Sequence, residues 1–243
     1  MTARLVACEL TGGYPGVTVF SGASFSVESG EILTVLGANG SGKSALLETL
    51  QGLLAHRGGA VLLDGEKVQD LALEARAARG MSLVSDRRRL FRDMTVDEHL
   101  RVAAYRAAAR RGWRRRALEL RGIFTGLTRQ RGARPAGLSG GLQQQLALAR
   151  FAMFSPRVWL LDDPLQGLDD FMAGRVLVWI RRAAGSGAAV MLTGQHIRTL
   201  LGVATKAMFL EGGKPVGDSR RRREPFGPAR QPTALIRARG SVI

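Results

Sequence analysis

Residues 32–54 read ILTVLGANGSGKSALLETLQGLL. Ile32 to Leu36 is a short apolar run of the kind that forms a buried strand. From Ser44 onward the apolar residues Leu46, Leu47, Leu50, Leu53 and Leu54 recur with helical spacing. Between strand and helix, Gly37-Ala38-Asn39-Gly40-Ser41-Gly42-Lys43-Ser44 fits G-x-x-x-x-G-K-S, and strand before, helix after is the context in which that spacing cradles phosphate. Gly37, Gly40 and Gly42 let the backbone curl until successive N–H groups point inward, and the helix dipole favours the anion there. Lys43 would neutralise the β and γ phosphates of a nucleotide, and the Ser44 hydroxyl would ligate magnesium.

Reading outward, Val17–Phe20 with Phe25–Val27, Ala60–Leu63 and Met81–Val84 have strand character and are bounded by turns. Thr95 to about Arg131 is patterned as helix and is very basic. Leu142 to Met153 places Leu142, Leu146, Ala149 and Met153 on one helical face, ahead of the strand Val158–Leu161. Ala189–Leu192 and Ala207–Leu210 supply late strands. Strands alternating with helices predict an α/β domain on a parallel sheet with a helical insertion in its middle. No internal repeat is visible. The end, residues 218–243, is rich in Arg, Pro and Gly and predicts an extended tail.

Two further stretches carry chemistry. At 158–170 the chain reads VWLLDDPLQGLDD, an apolar strand that stops at Asp162 and Asp163. The pair is open to three readings: two metal ligands, a ligand and a base, or an acidic turn before Pro164. Leu138-Ser139-Gly140-Gly141 sits directly ahead of a helix; alone, Ser-Gly-Gly is also an ordinary helix cap. Its position between the phosphate loop and the strand ending in Asp162 sets it apart from such a cap.

Over roughly residues 3 to 217 the sequence resembles the ATP-binding cassette (ABC) ATPases, through GANGSGKS, LSGG, VWLLDDP and GLDD in that order. The stretches 82–105 and 138–153 are similar to the ATPase subunits of branched-chain amino acid importers. Thr193–Leu200 is similar to the ATPase of lipopolysaccharide export. The resemblance implies a P-loop NTPase with a RecA-like core, an antiparallel β subdomain and an inserted helical subdomain at about 90–155, all within residues 1–217. It also implies a head-to-tail dimer in which ATP and Mg2+ lie between one subunit's phosphate loop and the other's Leu138–Gly141. Separate permease subunits would span the membrane, placing this chain on the cytoplasmic face. Tyr14 falls where the family stacks an aromatic on adenine, although a Tyr in a Gly/Pro turn is also an ordinary packing residue. Asp162 becomes the magnesium-side ligand, Asp163 the base, and Asp169 of GLDD a nucleotide-site residue.

Departures from the family pattern cluster around the nucleotide. Asp86 stands where the γ-phosphate-sensing loop carries Gln or Glu, and would serve both magnesium and catalysis. Leu142 follows LSGG in place of Gln. Gln195 aligns with the switch histidine, with His196 one residue later. Asp163 replaces the catalytic Glu. Together they imply altered turnover. His56 and His99 have no partner pattern and are expected on the solvated surface.

Composition limits the remaining possibilities. Hydrophobic residues make up 45% of the 243, enough for one sizeable core, and no apolar run approaches the roughly 18 to 20 residues of a spanning helix. The start has no signal-peptide pattern, and Met1-Thr2 excludes myristoylation. Cys8 is the single cysteine, so no intrachain disulfide can form. The +16 net charge is concentrated: residues 101–134 hold eleven Arg and one Glu, residues 220–243 seven Arg and one Glu, and the rest is neutral. Such charge suits permease loops, anionic lipid headgroups or a plainly solvated face. A nucleic-acid-associated ATPase is the competing class, but only Tyr105, Trp113 and Phe124 are aromatic between Arg101 and Arg134. A nucleotide-gated regulatory subunit with little turnover is a third possibility.

Overall fold

The computed structural model describes residues 3–86, 88–105 and 112–219. Two sheets organise it. The first is antiparallel, formed by β1 (Ala3–Tyr14), β2 (Val17–Glu28), β4 (His56–Leu63) and β5 (Glu66–Lys67) in the order β2-β1-β4-β5. The second contains β3 (Ile32–Leu36), β6 (Met81–Val84), β7 (Val158–Asp162), β8 (Ala189–Thr193), β9 (Lys206–Glu211) and β10 (Lys214–Ser219). Its order is β10-β9-β3-β8-β7-β6, parallel except for β10, which returns antiparallel along β9.

The central strands are buried on both faces, and alternation along them feeds two cores. On β7, Val158 and Leu160 point with Leu33, Val35 and Met191 towards α1 (Lys43–Gln51) and the antiparallel sheet. Trp159 and Leu161 point with Val190 and Leu192 to the opposite face. That face is covered by α5 (Gly140–Met153) and α6 (Asp170–Gly185). Trp159, Trp179 and Phe151 form an aromatic cluster there, with Trp159 and Trp179 ring centres 4.5 Å apart.

The helical insertion forms as α3 (Val96–Ala103), α4 (Trp113–Ile123) and two short 3-10 turns, packed on α5 through Leu100, Leu120, Phe124 and Leu127. A capping box starts α3: Thr95 accepts from the Glu98 N–H, and Glu98 accepts from that of Thr95. The helical pattern expected up to Arg131 ends earlier, because after α4 the chain turns through Thr125–Leu127. Short helices α2 (Leu73–Ala78) and α7 (Ile197–Leu201) complete the fold. Of the predicted tail, residues 220–243 lie outside the described residues, and 218–219 close β10. Among the described residues no helix is long and apolar enough to cross a membrane.

One surface expectation is corrected. His99 is wholly buried, with Nε2 accepting the Phe91 N–H at 2.9 Å and Nδ1 2.8 Å from the Thr95 carbonyl. Two partners at helical and loop spacing satisfy the ring, so burial costs it no hydrogen bond.

Candidate functional site

The phosphate loop leaves β3 and enters α1 as its spacing requires. Gly37 has φ +156, and a Cβ there would come within 2.2 Å of the Leu210 carbonyl oxygen, so no other residue fits. Gly42 caps α1 at φ 100. Lys43 and Ser44 open the helix, where N–H groups have no intrahelical acceptor and favour an anion. The Lys43 ammonium donates to the carbonyls of Gly37 at 2.9 Å and Ala38 at 2.8 Å. Burial lowers its pKa, opposed by the charges of Asp162 and Asp163.

Asp162 ends β7 directly opposite Thr193 on β8. Its carboxylate is buried and accepts from the Thr193 hydroxyl at 2.5 Å and from the Ser44 hydroxyl. Burial raises its pKa; the two hydroxyls act in the opposite direction, as does Lys43, while Asp86 adds to the rise. Asp163 is less enclosed and takes a positive φ of 45, a strained state for a side-chain-bearing residue. Its N–H donates to the Thr193 carbonyl at 3.2 Å, and its carboxylate accepts the Gln195 N–H. Burial raises the pKa of Asp163, and nearby His196 draws it back down.

These groups share one cleft of about 400 Å³. Tyr14, Asn39, Gly40, Gly42, Lys43 and Ser44 line one side; Asp86, Asp162, Asp163 and Gln195 line the other. Tyr14 is 42% exposed at the rim. Gly37, Ala38 and Ser41 form the loop behind this lining, and His196 stands exposed at the start of α7. The remaining expected residues lie outside the cleft. Ser139 caps α5 by accepting the Leu142 N–H at 3.4 Å. Gly141 packs so closely on the 164–168 turn that a Cβ would meet the Gly167 carbonyl at 2.6 Å. Leu138 is buried, and Asp169 caps α6 through the Met172 N–H at 2.7 Å.

The donors fit magnesium that arrives with phosphate. No group of three or more His, Cys, Asp or Glu among the described residues is placed to hold a metal by protein ligands alone. A hydroxyl and a carboxylate side by side, Ser44 and Asp162, suit a hard cation that keeps water and phosphate oxygens in its shell. Two contributors were missed from the sequence. Thr193 holds both aspartates but is recognisable only once β8 is known to lie beside β7. Gln166 lines the cleft from the turn after Asp163 and carries no motif of its own.

A sequence model of the ABC transporter family matches residues 20–166. The high-affinity branched-chain amino acid transport ATP-binding protein BraG of Pseudomonas aeruginosa is 30% identical over 203 residues, 84% of this chain and 87% of that one. The lipopolysaccharide export system ATP-binding protein LptB of Escherichia coli K12 is 30% identical over 213 residues, 87% and 88% of the two chains. A solved ATP-binding subunit of an ABC transporter superposes with a TM-score of 0.80 at 26% identity, covering 90% of each chain.

Proposed function

The chain belongs to the ABC transporter family as an ATP-binding subunit, and on that premise we propose that it uses MgATP to drive transport through separate permease subunits. The observation that carries this is the single cleft joining Lys43, Ser44, Asp162 and Asp163. Lys43 and the α1 N–H groups bind the phosphates, Ser44 and Asp162 hold magnesium, and Asp163 polarises the attacking water. Gln195, Asp86 and His196 shape the γ-phosphate end. Asp163 is one methylene shorter than Glu, and a C–C bond is about 1.5 Å, so its carboxylate falls short of the water and hydrolysis is slow.

Leu138–Gly141 and Asp169 lie outside the cleft, which supports a head-to-tail dimer in which a second subunit presents them. The permease meets the helical insertion, at a groove of about 490 Å³ between β6, α3 and α5. Exposed Phe91, Val102 and Phe154 give it an apolar floor, and Arg88, Arg89 and Arg150 suit an acidic, amphipathic segment. Through that contact the chain sits at the cytoplasmic face of the membrane. Nucleic acid is disfavoured because Phe124 is buried and Trp113 packs on the core, which leaves Tyr105 of the three aromatics exposed for stacking. Amino acid import is the favoured transport class, from the likeness to BraG; lipopolysaccharide export is the second reading, from the likeness to LptB.

Size-exclusion chromatography of Asp163→Asn with and without MgATP tests the site. We expect an ATP-dependent dimer that Ser139→Arg abolishes. A chain that binds MgATP yet elutes as a monomer throughout would rule out the shared site, and co-purified permeases would decide between the two transport classes.

A further inference from the structure

Gln144 lies on α5 in the third position after the Ser-Gly-Gly turn and is wholly buried. Both ends of its side-chain amide are engaged. Nε2 donates to the carbonyls of Asp163 at 3.3 Å and Pro164 at 3.2 Å. Oε1 accepts from Arg88 Nε at 3.0 Å.

Arg88 follows β6 in the loop that carries Asp86. It has φ 52, and its neighbour Arg89 has φ 42. Arg150 of α5 holds this bent segment by donating to the carbonyl of Arg89 at 2.7 Å and to that of Arg88 at 3.3 Å. A guanidinium has donors and no acceptor, so it can face only the oxygen end of the Gln144 amide. The NH2 end is thereby directed at the two carbonyls beyond β7.

Asp163 is thus held at both of its peptide units. Its N–H is fixed by Thr193, and its C=O accepts both the Gln144 amide at 3.3 Å and the Gln166 N–H at 3.1 Å, so Gln144 ties that carbonyl and the next, Pro164, to α5. In a strained backbone state such clamps determine where the side chain points. We infer that Gln144 is a positioning residue for Asp163, and that Arg88 sets the direction of its amide. The relay joins the loop bearing Asp86 to the Asp163 carboxylate, so that movement of one re-aims the other. It rests on Asp163 acting as the base, as proposed above.

Single-turnover ATP hydrolysis and equilibrium ATP affinity, measured separately, test the relay. Both are run in wild type and in Asp163→Glu, which keeps the same backbone carbonyls. Gln144→Met should slow hydrolysis about tenfold or more in each, since misplacement by about 1 Å costs up to about a hundredfold, with affinity unchanged. In an Asp163→Asn background it should cost nothing further, because Gln144 acts through that carboxylate. Arg88→Gln, at a half-buried position that folding tolerates better, should give a smaller loss that vanishes when Gln144→Met is already present.

Full hydrolysis in both Gln144→Met and Arg88→Gln overturns the inference. So does an equal loss with and without the Asp163 carboxylate, which would mark a merely structural role. If Asp163→Asn loses activity while Gln144→Met does not, only the relay fails. If Asp163→Asn keeps the wild-type rate, or if neither wild type nor Asp163→Glu hydrolyses ATP, the assignment of the base fails and the relay with it.

Discussion

Thr193 and Asp162 face each other across the β7–β8 ladder, and the Thr193 hydroxyl donates to Asp162 Oδ1 at 2.5 Å while its carbonyl accepts the Asp163 N–H at 3.2 Å. One residue therefore holds the carboxylate of Asp162 and the backbone N–H of Asp163. Thr193→Val keeps the shape and removes the hydroxyl. A hydrogen bond to a charged group contributes about 1.5 to 3 kcal/mol, and urea denaturation should show a loss of that order. Thr193→Ser should recover most of it. A valine variant as stable as wild type would mean that the hydroxyl contributes no net stability.

Lys43 is the cation nearest the expected phosphates, whereas Tyr14 offers only a ring face. Affinity should therefore depend on the triphosphate more than on the base. Lys43→Ala should abolish measurable ATP binding in calorimetry, while Tyr14→Ala should weaken it by only about 1 to 3 kcal/mol. Unaltered affinity in Lys43→Ala would refute the phosphate-loop assignment.

Asp163 should behave as a correctly placed but short base. ATP binding of ordinary strength with slow hydrolysis is expected, and restoring the methylene in Asp163→Glu should raise the single-turnover rate by about ten- to a hundredfold. Asp162→Asn should remove magnesium dependence along with activity. Brisk hydrolysis by a wild-type homodimer, unaffected by Asp163→Asn, would show that another group is the base.

What could be read in the sequence was whatever depends on local spacing. The β3–loop–α1 unit, the strand ending in Asp162 and helix α5 each show their period and their turn residues within a few positions. β1 was not legible because its alternation is interrupted: Leu5 and Ala7 are buried, then Glu9 takes φ 48 and the register shifts before Leu10. Thr193, Gln144 and Arg88 were missed for a different reason. Their partners lie 31, 19 and 56 residues away, and a strand order or a helix packing must be known before those distances close. His99 was misplaced because a lone histidine has no spacing signal, and its two partners are backbone atoms.

Among the described residues, the arginines of the basic insertion divide into those that tie its elements together and those with contacts only at the surface. Arg121 and Arg131 pair with Asp97, and Arg116 donates to the Ala152 carbonyl at 3.2 Å. Arg114 and Arg115 are exposed on α4, Arg114 lying over the Trp113 ring at 5.5 Å and Arg115 pairing with Glu119 at the surface. Gln at both should weaken binding to anionic vesicles by up to about 1 kcal/mol per charge at low salt, with ATP affinity and melting temperature unchanged. Equal vesicle binding at low and physiological salt would leave these charges as solvated surface.

His99 should give the protein an acid-sensitive joint. Its Nε2 must be unprotonated to accept the Phe91 N–H, so the neutral ring donates from Nδ1 to Thr95. Burial lowers its pKa, and Arg150 adds to this; the Thr95 hydrogen bond and Glu98 oppose the fall. Between the depressed folded value and the ordinary value of about 6.5, the unfolded chain binds more protons, so stability decreases as pH falls. The contribution is complete above about 6.5 and is lost as pH drops through the folded value. Protonation would set an N–H against the Phe91 N–H and release the wall of the groove that Phe91 lines. His99→Gln should cost about 1 to 3 kcal/mol at neutral pH and flatten the difference in unfolding free energy between pH 7 and the acid range. If wild type and variant lose stability in parallel on acidification, His99 does not titrate in that window and the joint is set by other groups.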